Sequence, residues 1–255
     1  MTDQKAKFDA FAGLHSPGDP VVLYNIWDAG TARALANAGA RAIATGSYSV
    51  AKANGFDDGE QTPLGLVIEN AARIASAVDL PVTIDFETGY GASPEGAAAS
   101  LKTLLDTGIV GVNIEDGSFG QGLRPVEEQA ARIEALAAVR SASGVPAWIN
   151  ARTDVFLEAP AEQHADRVGE AIERGAAYAE AGGQGFFVPG LIDLDLIARV
   201  CESAPLPVNV MATGKTPSIA DYSAAGVSRV SYGGYPWHLM MKILADEAAK
   251  ILPQR

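Results

Sequence analysis

The chain has 255 residues, of which 48% are hydrophobic and 20% charged; with a mean hydropathy of +0.09 this allows one large domain or two small ones and excludes a disordered chain. Thirty-one acidic residues against 19 basic ones leave a net charge of −12 with no Lys/Arg cluster, which excludes nucleic acid and anionic membranes as natural partners. No apolar run reaches 18 residues, the N-terminus MTDQKAKFDAF lacks an apolar segment, and Cys201 has no second cysteine to pair with; the expectation is a cytoplasmic protein whose metals, if any, sit on oxygen or imidazole.

Short, nearly continuous apolar runs alternate with Ala-rich helical patterns. VVLYN (21–25) precedes TARALANAG (31–39), and AIAT (42–45) follows. VTIDF (82–86) precedes a helical stretch over 93–108, VGVNIE (110–115) one over 125–144, and AWINAR (147–152) one over 161–183. GFFVPG (185–190), PVNVM (207–211) and RVSYG (229–233) complete the set. Runs of this kind suit parallel strands buried on both faces, and Ser, Thr or Pro starts with Gly stops are helix-capping signals. Eight such units at about 32 residues each predict a single (β/α)8 TIM barrel over residues 1–255. A doubly wound open sheet is the alternative, but no G-x-G-x-x-G opens the first strand.

In a barrel, polar residues at the strand C-termini line the working face. Asp85 and Glu87 are two apart at the end of the third strand and are expected on the same side of an extended segment; Glu115 and Asp116 end the fourth. Converging carboxylates repel unless a cation neutralises them, and oxygen donors with only three histidines point to Mg²⁺, with Mn²⁺ as a substitute. The competing reading is that they cap helices or pair with arginine. Arg152, ending the fifth strand, suits a substrate carboxylate or phosphate, or a structural ion pair with Asp85, Glu115 or Asp154. Thr45-Gly46-Ser47, after the second strand, offers N–H groups and hydroxyls to a carboxylate or oxyanion. Glycine-containing loops at 213–217 and 233–236 fall where many barrels bind phosphate.

With these residues in view, the chain resembles the isocitrate lyase / phosphoenolpyruvate mutase superfamily from about residue 20 to residue 235. The resemblance rests on D-x-[DE]-x-G-x-G at Asp85–Gly91, I-E-D at Ile114–Asp116, A-R-T at Ala151–Thr153 and the [ST]-G segment at 45–47. It implies Mg²⁺ held directly or through water by Asp85, Glu87 and Glu115, and a substrate carboxylate and enolate oxygen met by Thr45, Gly46 and Ser47. It further implies that Arg152 contacts the substrate, that Asp58 (or its neighbour Asp57) lies near the metal waters, and that Asn209 meets the distal substrate group. The shared chemistry is cleavage of a bond to C3 of a 2-oxo or 2-hydroxy acid through an enolpyruvate.

The chain also departs from that pattern. Where lyase members carry a Lys-Lys-Cys-Gly-His type loop, residues 117–125 read GSFGQGLRP, without a thiol and without the Lys-x-Asn of phosphonopyruvate-acting members. Cys201, in DLDLIARVCESA, reads as a buried structural thiol, and Glu87 stands where Asp is commoner. Residues 117–124 are a candidate lid in which Arg124 either meets a distal carboxylate or is a surface charge at a helix start. His15 and His164 are expected to be solvated; His238 reads as a packing residue ahead of a catalytic base. The resemblance implies a homo-oligomer, a dimer or tetramer, with the C-terminal segment WHLMMKILADEAAKIL packing on its own barrel or a partner's. The expected function is a Mg²⁺-dependent lyase, decarboxylase or hydrolase of a small 2-oxo acid. Phosphonomutase or phosphonopyruvate hydrolase chemistry is the alternative, and a non-catalytic 2-oxo-acid-binding barrel the reading from another class. A Schiff-base aldolase would need a lysine at a strand end, whereas Lys215 lies in a loop beyond the seventh.

Overall fold

The computed structural model describes residues 2–117, 120 and 122–253. Eight parallel strands, β1 (Val21–Leu23), β2 (Ile43–Ala44), β3 (Val82–Asp85), β4 (Gly111–Glu115), β5 (Trp148–Arg152), β6 (Gly185–Phe187), β7 (Val208–Met211) and β8 (Arg229–Ser231), run in the order β1-β8-β7-β6-β5-β4-β3-β2. A parallel bridge between Ile26 and Thr45 joins the two ends. The chain is a (β/α)8 barrel. Strand alternation explains why the sequence runs looked continuous. Ile84, Val112, Ile114, Ile149, Val210 and Val230 belong to the outer cluster with helix residues such as Leu101, Leu136 and Val168, while the intervening residues face the barrel axis.

The helices between strands start and stop on local chemistry. α2 (Ala29–Asn37) opens on a reciprocal cap between Asp28 and Thr31, and α5 (Pro94–Leu105) on Ser93, which accepts from the Gly96 amide ahead of Pro94. The glycines after α2 and after α7 (His164–Glu180), Gly39 and Gly182, take φ of 92° and 96°, a left-handed turn that a side chain disfavours.

An N-terminal helix, α1 (Thr2–Ala12), closes the barrel floor. Phe11 joins Val21, Leu23, Ala42, Ala44 and Trp148 in a second apolar cluster, and Gln4 Nε2 donates to the Leu105 and Ile109 carbonyls. His15 belongs to this plug rather than to solvent: it is 8% exposed, stacked on Trp148 at 4.2 Å, with Nδ1 2.9 Å from the Phe11 carbonyl. His164 is buried too, because its Nε2 meets the Phe156 and Ala159 carbonyls at 3.0 and 3.1 Å. The expectation that these two histidines are solvated is therefore corrected in both cases. A helical face that looks polar in sequence carries a ring recruited by neighbouring carbonyls. Cys201, in α8 (Leu194–Ser203), is partly buried, and that burial pushes its thiol up to about 12.

The last helix, α10 (Tyr235–Ala249), behaves differently. Pro236 is its one buried residue, and Met240, Ile243 and Leu244 are 44–62% exposed. The outer face of β1 is open as well: Val22 is 38% exposed and, with Leu35 and Arg41, lines a groove of about 330 Å³. Among the described residues, no helix is long and apolar enough to cross a membrane.

Candidate active site

Asp85 is the last residue of β3, and its backbone N–H donates to Thr45 Oγ1 at 2.9 Å. Its carboxylate points into the barrel mouth: Oδ2 accepts from the Ser47 amide at 3.0 Å, and Oδ1 is buried with no partner. The 45–47 segment is held rigidly around it. The Thr45 amide is spent on Thr83, the Gly46 amide on Ile26 and the Ser47 amide on Asp85. The N–H groups expected to be free at 45–47 are thus committed, and of the two hydroxyls Thr45's accepts the Asp85 amide while Ser47's bonds to Asp58. A Cβ on Gly46 would stand 3.2 Å from the Gly233 carbonyl. Asn25 draws the same region together, donating to the Thr45 carbonyl at 2.7 Å and accepting the Tyr232 and Gly233 amides.

Asp57 and Asp58 are separated by their surroundings. Asp57 pairs with Lys52 at 2.6 Å outside the mouth. Asp58 turns toward the site: shielding from water and the charge of Asp85 raise its carboxyl, against the Gly59 amide and Ser47 hydroxyl.

Glu87 does not continue the strand. Its φ is 50°, so the alternation expected to align it with Asp85 ends at Asp85. Its carboxylate closes a clasp instead. Oε2 accepts the Gly59 and Glu60 amides at 3.0 and 2.6 Å, and Oε1 accepts the Tyr90 hydroxyl at 2.5 Å. Glu60 Oε1 reaches back to Thr88 N, Thr88 Oγ1 and Tyr90 N at 3.1, 2.7 and 2.7 Å. Glu60, Glu87 and Tyr90, none of them glycine, all have φ between 50° and 57°, a local strain that the reciprocal bonds hold in place. Burial lifts the Glu87 carboxyl to about 7, although the Tyr90 and Glu60 bonds oppose it.

On the opposite side of the mouth, Arg152 Nη1 is 2.6 Å from Glu115 Oε2, and Nε and Nη2 grip the two oxygens of Asp154 at 2.6 and 3.0 Å. Burial works against that guanidinium, but the two carboxylates hold it firmly cationic; burial raises Glu115 in turn, with Arg152 opposing. Gly117 has to be glycine here, since a Cβ would lie 2.5 Å from Asp154 Oδ2. Behind the pair, Asp116 accepts the Asp154 amide, the Tyr178 hydroxyl and Arg174 Nη1 at 2.9, 2.7 and 3.1 Å.

The structure thus gathers Thr45, Gly46, Ser47, Asp58, Asp85, Glu87, Glu115 and Arg152 around one mouth. It does not gather the other two. Arg124 turns to α6 (Val126–Ser143), 3.2 Å from Gln129 Oε1 and 3.4 Å from the Glu115 carbonyl. Asn209 is 1% exposed beneath the mouth, bonded to Asn150, Ser231 and backbone carbonyls. His238 is exposed, its ring against Tyr48 at 4.9 Å. Of the candidate lid, Ser118, Phe119 and Gln121 lie outside the described residues. Among the described residues no three His, Cys, Asp or Glu side chains come together tightly enough to hold an ion between them.

Comparison with known proteins bears on this arrangement. The family profile described as phosphoenolpyruvate phosphomutase matches residues 11–252. The chain belongs to the phosphoenolpyruvate phosphomutase family. The match spans the barrel and every mouth residue named above, within a superfamily whose members are lyases or mutases. A solved structure from Burkholderia cenocepacia J2315, provisionally named a phosphonomutase, superposes with TM-score 0.94 at 46% identity over 97% of this chain and 99% of that one. The 2-methylisocitrate lyase of Escherichia coli (strain K12) is 28% identical over 80% of this chain and 73% of its own. A phosphonopyruvate hydrolase solved with oxalate and Mg²⁺ shares the fold at TM-score 0.83 and 22% identity, over 96% and 86% of the two chains.

In this phosphomutase-family barrel, three supporting residues escaped the sequence reading: Asn25, Glu60 and Asp116's partner Tyr178. Asn25 at the end of VVLYN was the one with a signal, a polar residue closing an apolar strand. Glu60 and Tyr178 carried none, because the groups they fix, Thr88 and Asp116, lie 28 and 62 residues away.

Proposed function

We propose that this protein is a Mg²⁺-dependent enzyme that acts on a small 2-oxo or 2-hydroxy carboxylic acid through an enolpyruvate-type intermediate, by C–C cleavage, decarboxylation or hydrolysis. The observation that carries this reading is the buried, unpartnered Oδ1 of Asp85. It sits among Asp58, Glu87 and Glu115, whose carboxyls are all raised by burial and by the charge of Asp85. Hard oxygen donors with an excess of negative charge fit Mg²⁺ or Mn²⁺. Asp85 would meet the cation directly. Asp58 and Glu115 would reach it through water, and Glu87 would act mainly by fixing the 58–60 turn. When bound, Mg²⁺ would polarise the 2-oxo group and its neighbouring carboxylate.

The protein's own groups do the rest. The Ser47 hydroxyl, bonded to Asp58, would turn from that carboxylate to donate to a substrate oxygen, and Arg152 is held in a fixed orientation by Asp154, from which its charge would stabilise an oxyanion in the mouth. No thiol stands in the 117–125 segment, so the general acid of this enzyme differs from that of the thiol-dependent lyases. P–C bond chemistry is the second reading, favoured by the 46% identity to the provisionally named phosphonomutase. We further propose a homo-oligomer in which the exposed face of α10 is covered by another copy.

Turnover on a panel of oxaloacetate, phosphonopyruvate and a 2-methylmalate-type acid, with and without Mg²⁺, tests the proposal. Mg²⁺-dependent product release from at least one is the expected result, and the substrate that reacts separates C–C from P–C cleavage. Tight binding across the panel with no turnover would contradict an enzyme.

A further inference from the structure

Beneath the mouth the barrel holds a charge for which the mouth chemistry has no direct use. TIM barrel interiors are ordinarily packed with branched apolar residues, yet Arg229, at the start of β8, lies inside this one at 0% exposure. Its Nε donates to Ser231 Oγ and its Nη2 to Asn113 Oδ1, both at 3.2 Å, and its Nη1 has no partner. No carboxylate among the described residues forms an ion pair with it. Its hydrogen-bond partners are neutral, and the network runs on through amides: Asn113 Oδ1 also accepts Asn150 Nδ2 at 2.9 Å, and Asn150 Nδ2 continues to Asn209 Oδ1 at 3.1 Å.

Those three asparagines form a floor directly under the acidic mouth. Asn113 is in register with Asp85 on one side and Asn150 on the other, and two residues further along the same strands stand Glu115 and Arg152. A buried guanidinium without a counter-ion is costly. Burial pulls the Arg229 pKa down to about 9, and the charge that opposes this fall is that of Asp85.

We propose that Arg229 is a positioning residue of electrostatic kind: from beside the Asn113–Asn150–Asn209 network, in register with Asn209, its fixed positive charge offsets the mouth carboxylates, so that the mouth accepts a dianionic 2-oxo acid as well as a cation. The inference rests on the function proposed above. It has a signature that a packing role lacks, because one charge must act with opposite sign on the two ligands. At an effective dielectric near 20, a unit charge acting over about 12 Å changes the affinity of a singly charged ligand by about tenfold, and a doubly charged ligand feels twice that energy.

The test is calorimetry on Arg229→Met, Arg229→Gln and Arg229→Lys, titrating Mg²⁺ alone and then oxalate at saturating Mg²⁺. The neutral variants are expected to bind oxalate at least about tenfold more weakly and Mg²⁺ more tightly than wild type, and Lys is expected to restore both. Gln keeps a hydrogen-bonding group toward Asn113 and serves if Met does not fold. Neutral variants indistinguishable from wild type would overturn the proposal. So would parallel loss of both ligands without rescue by Lys, which marks a structural role. Wild-type protein that binds neither ligand would instead defeat the functional reading, and this inference with it.

Discussion

At the scale of single residues, what a side chain does here depends on which atoms its neighbours have already claimed. Asp85 and Glu87 are both acids of one short motif, but Glu87 has both oxygens occupied by Gly59, Glu60 and Tyr90, while Asp85 retains one oxygen with no partner. Asp85 was legible because it ends an apolar strand, where barrels place functional groups. The role of Glu87 was not, since a left-handed φ at a non-glycine residue leaves no mark on the motif. His15 makes the same point away from the mouth. Burial, and then the charge of Arg229, lower its pKa to about 3, so the unfolded chain binds the proton that the folded chain refuses between pH 6.5 and 3. Its contribution to stability is complete above pH 6.5 and is lost as pH falls through that window. His15→Phe keeps a ring on Trp148 without a titrating nitrogen; thermal melts should show a smaller loss of Tm from pH 7 to pH 4 than in wild type. An equal loss would mean that His15 is protonated without penalty.

At the scale of elements, the strands were readable because burial on both faces makes them continuously apolar, and the capped helices because Asp28, Ser93 and Ser218 each bond to the first turn they precede. α1 was not readable. Its Phe8 and Phe11 pack under the barrel, but exposed and charged residues surround them. The Glu60–Glu87 clasp was equally hidden, being made between two loops that are unremarkable in sequence. It sets the turn carrying Asp58 against the end of β3, and Arg132 from α6 steadies the second loop through the Gly91 and Ala92 carbonyls at 2.8 and 3.0 Å. Glu60→Ala removes three acceptor contacts to Thr88 and Tyr90 and leaves the strained backbone of Glu87 and Tyr90 freer to relax. With charge-assisted bonds contributing about 1.5–3 kcal/mol each and water replacing part of the loss, urea denaturation should show a destabilisation of about 2–3 kcal/mol. A change below about 0.5 kcal/mol would show that the turn stands without Glu60.

At the scale of the molecule, the barrel is complete but its outer layer is not. α10 leaves Met240, Ile243 and Leu244 in solvent, and the outer face of β1 is open as well; large exposed apolar patches are normally covered. The sequence showed the apolar face of this segment but could not tell which barrel it meets, because the pattern records periodicity and not partner. If a second copy covers it, Leu244→Glu places a charge in that contact, and light scattering should report a shift from an oligomer toward a monomer with the barrel's circular dichroism retained. Wild type and variant of the same mass would place the contact elsewhere.

Most of the acidity of the chain, a net −12, is ordinary solvated surface; a small part of it stands at the mouth, where Asp58, Asp85, Glu87 and Glu115 lie on the same face as Arg152. Calorimetric titration of oxalate, a mimic of the enolpyruvate, into wild type and Asp85→Ala with and without Mg²⁺ tests that assignment most directly. The account predicts binding by wild type only when Mg²⁺ is present and none by Asp85→Ala in either condition; oxalate affinity unchanged by Asp85→Ala, or independent of Mg²⁺, would contradict it.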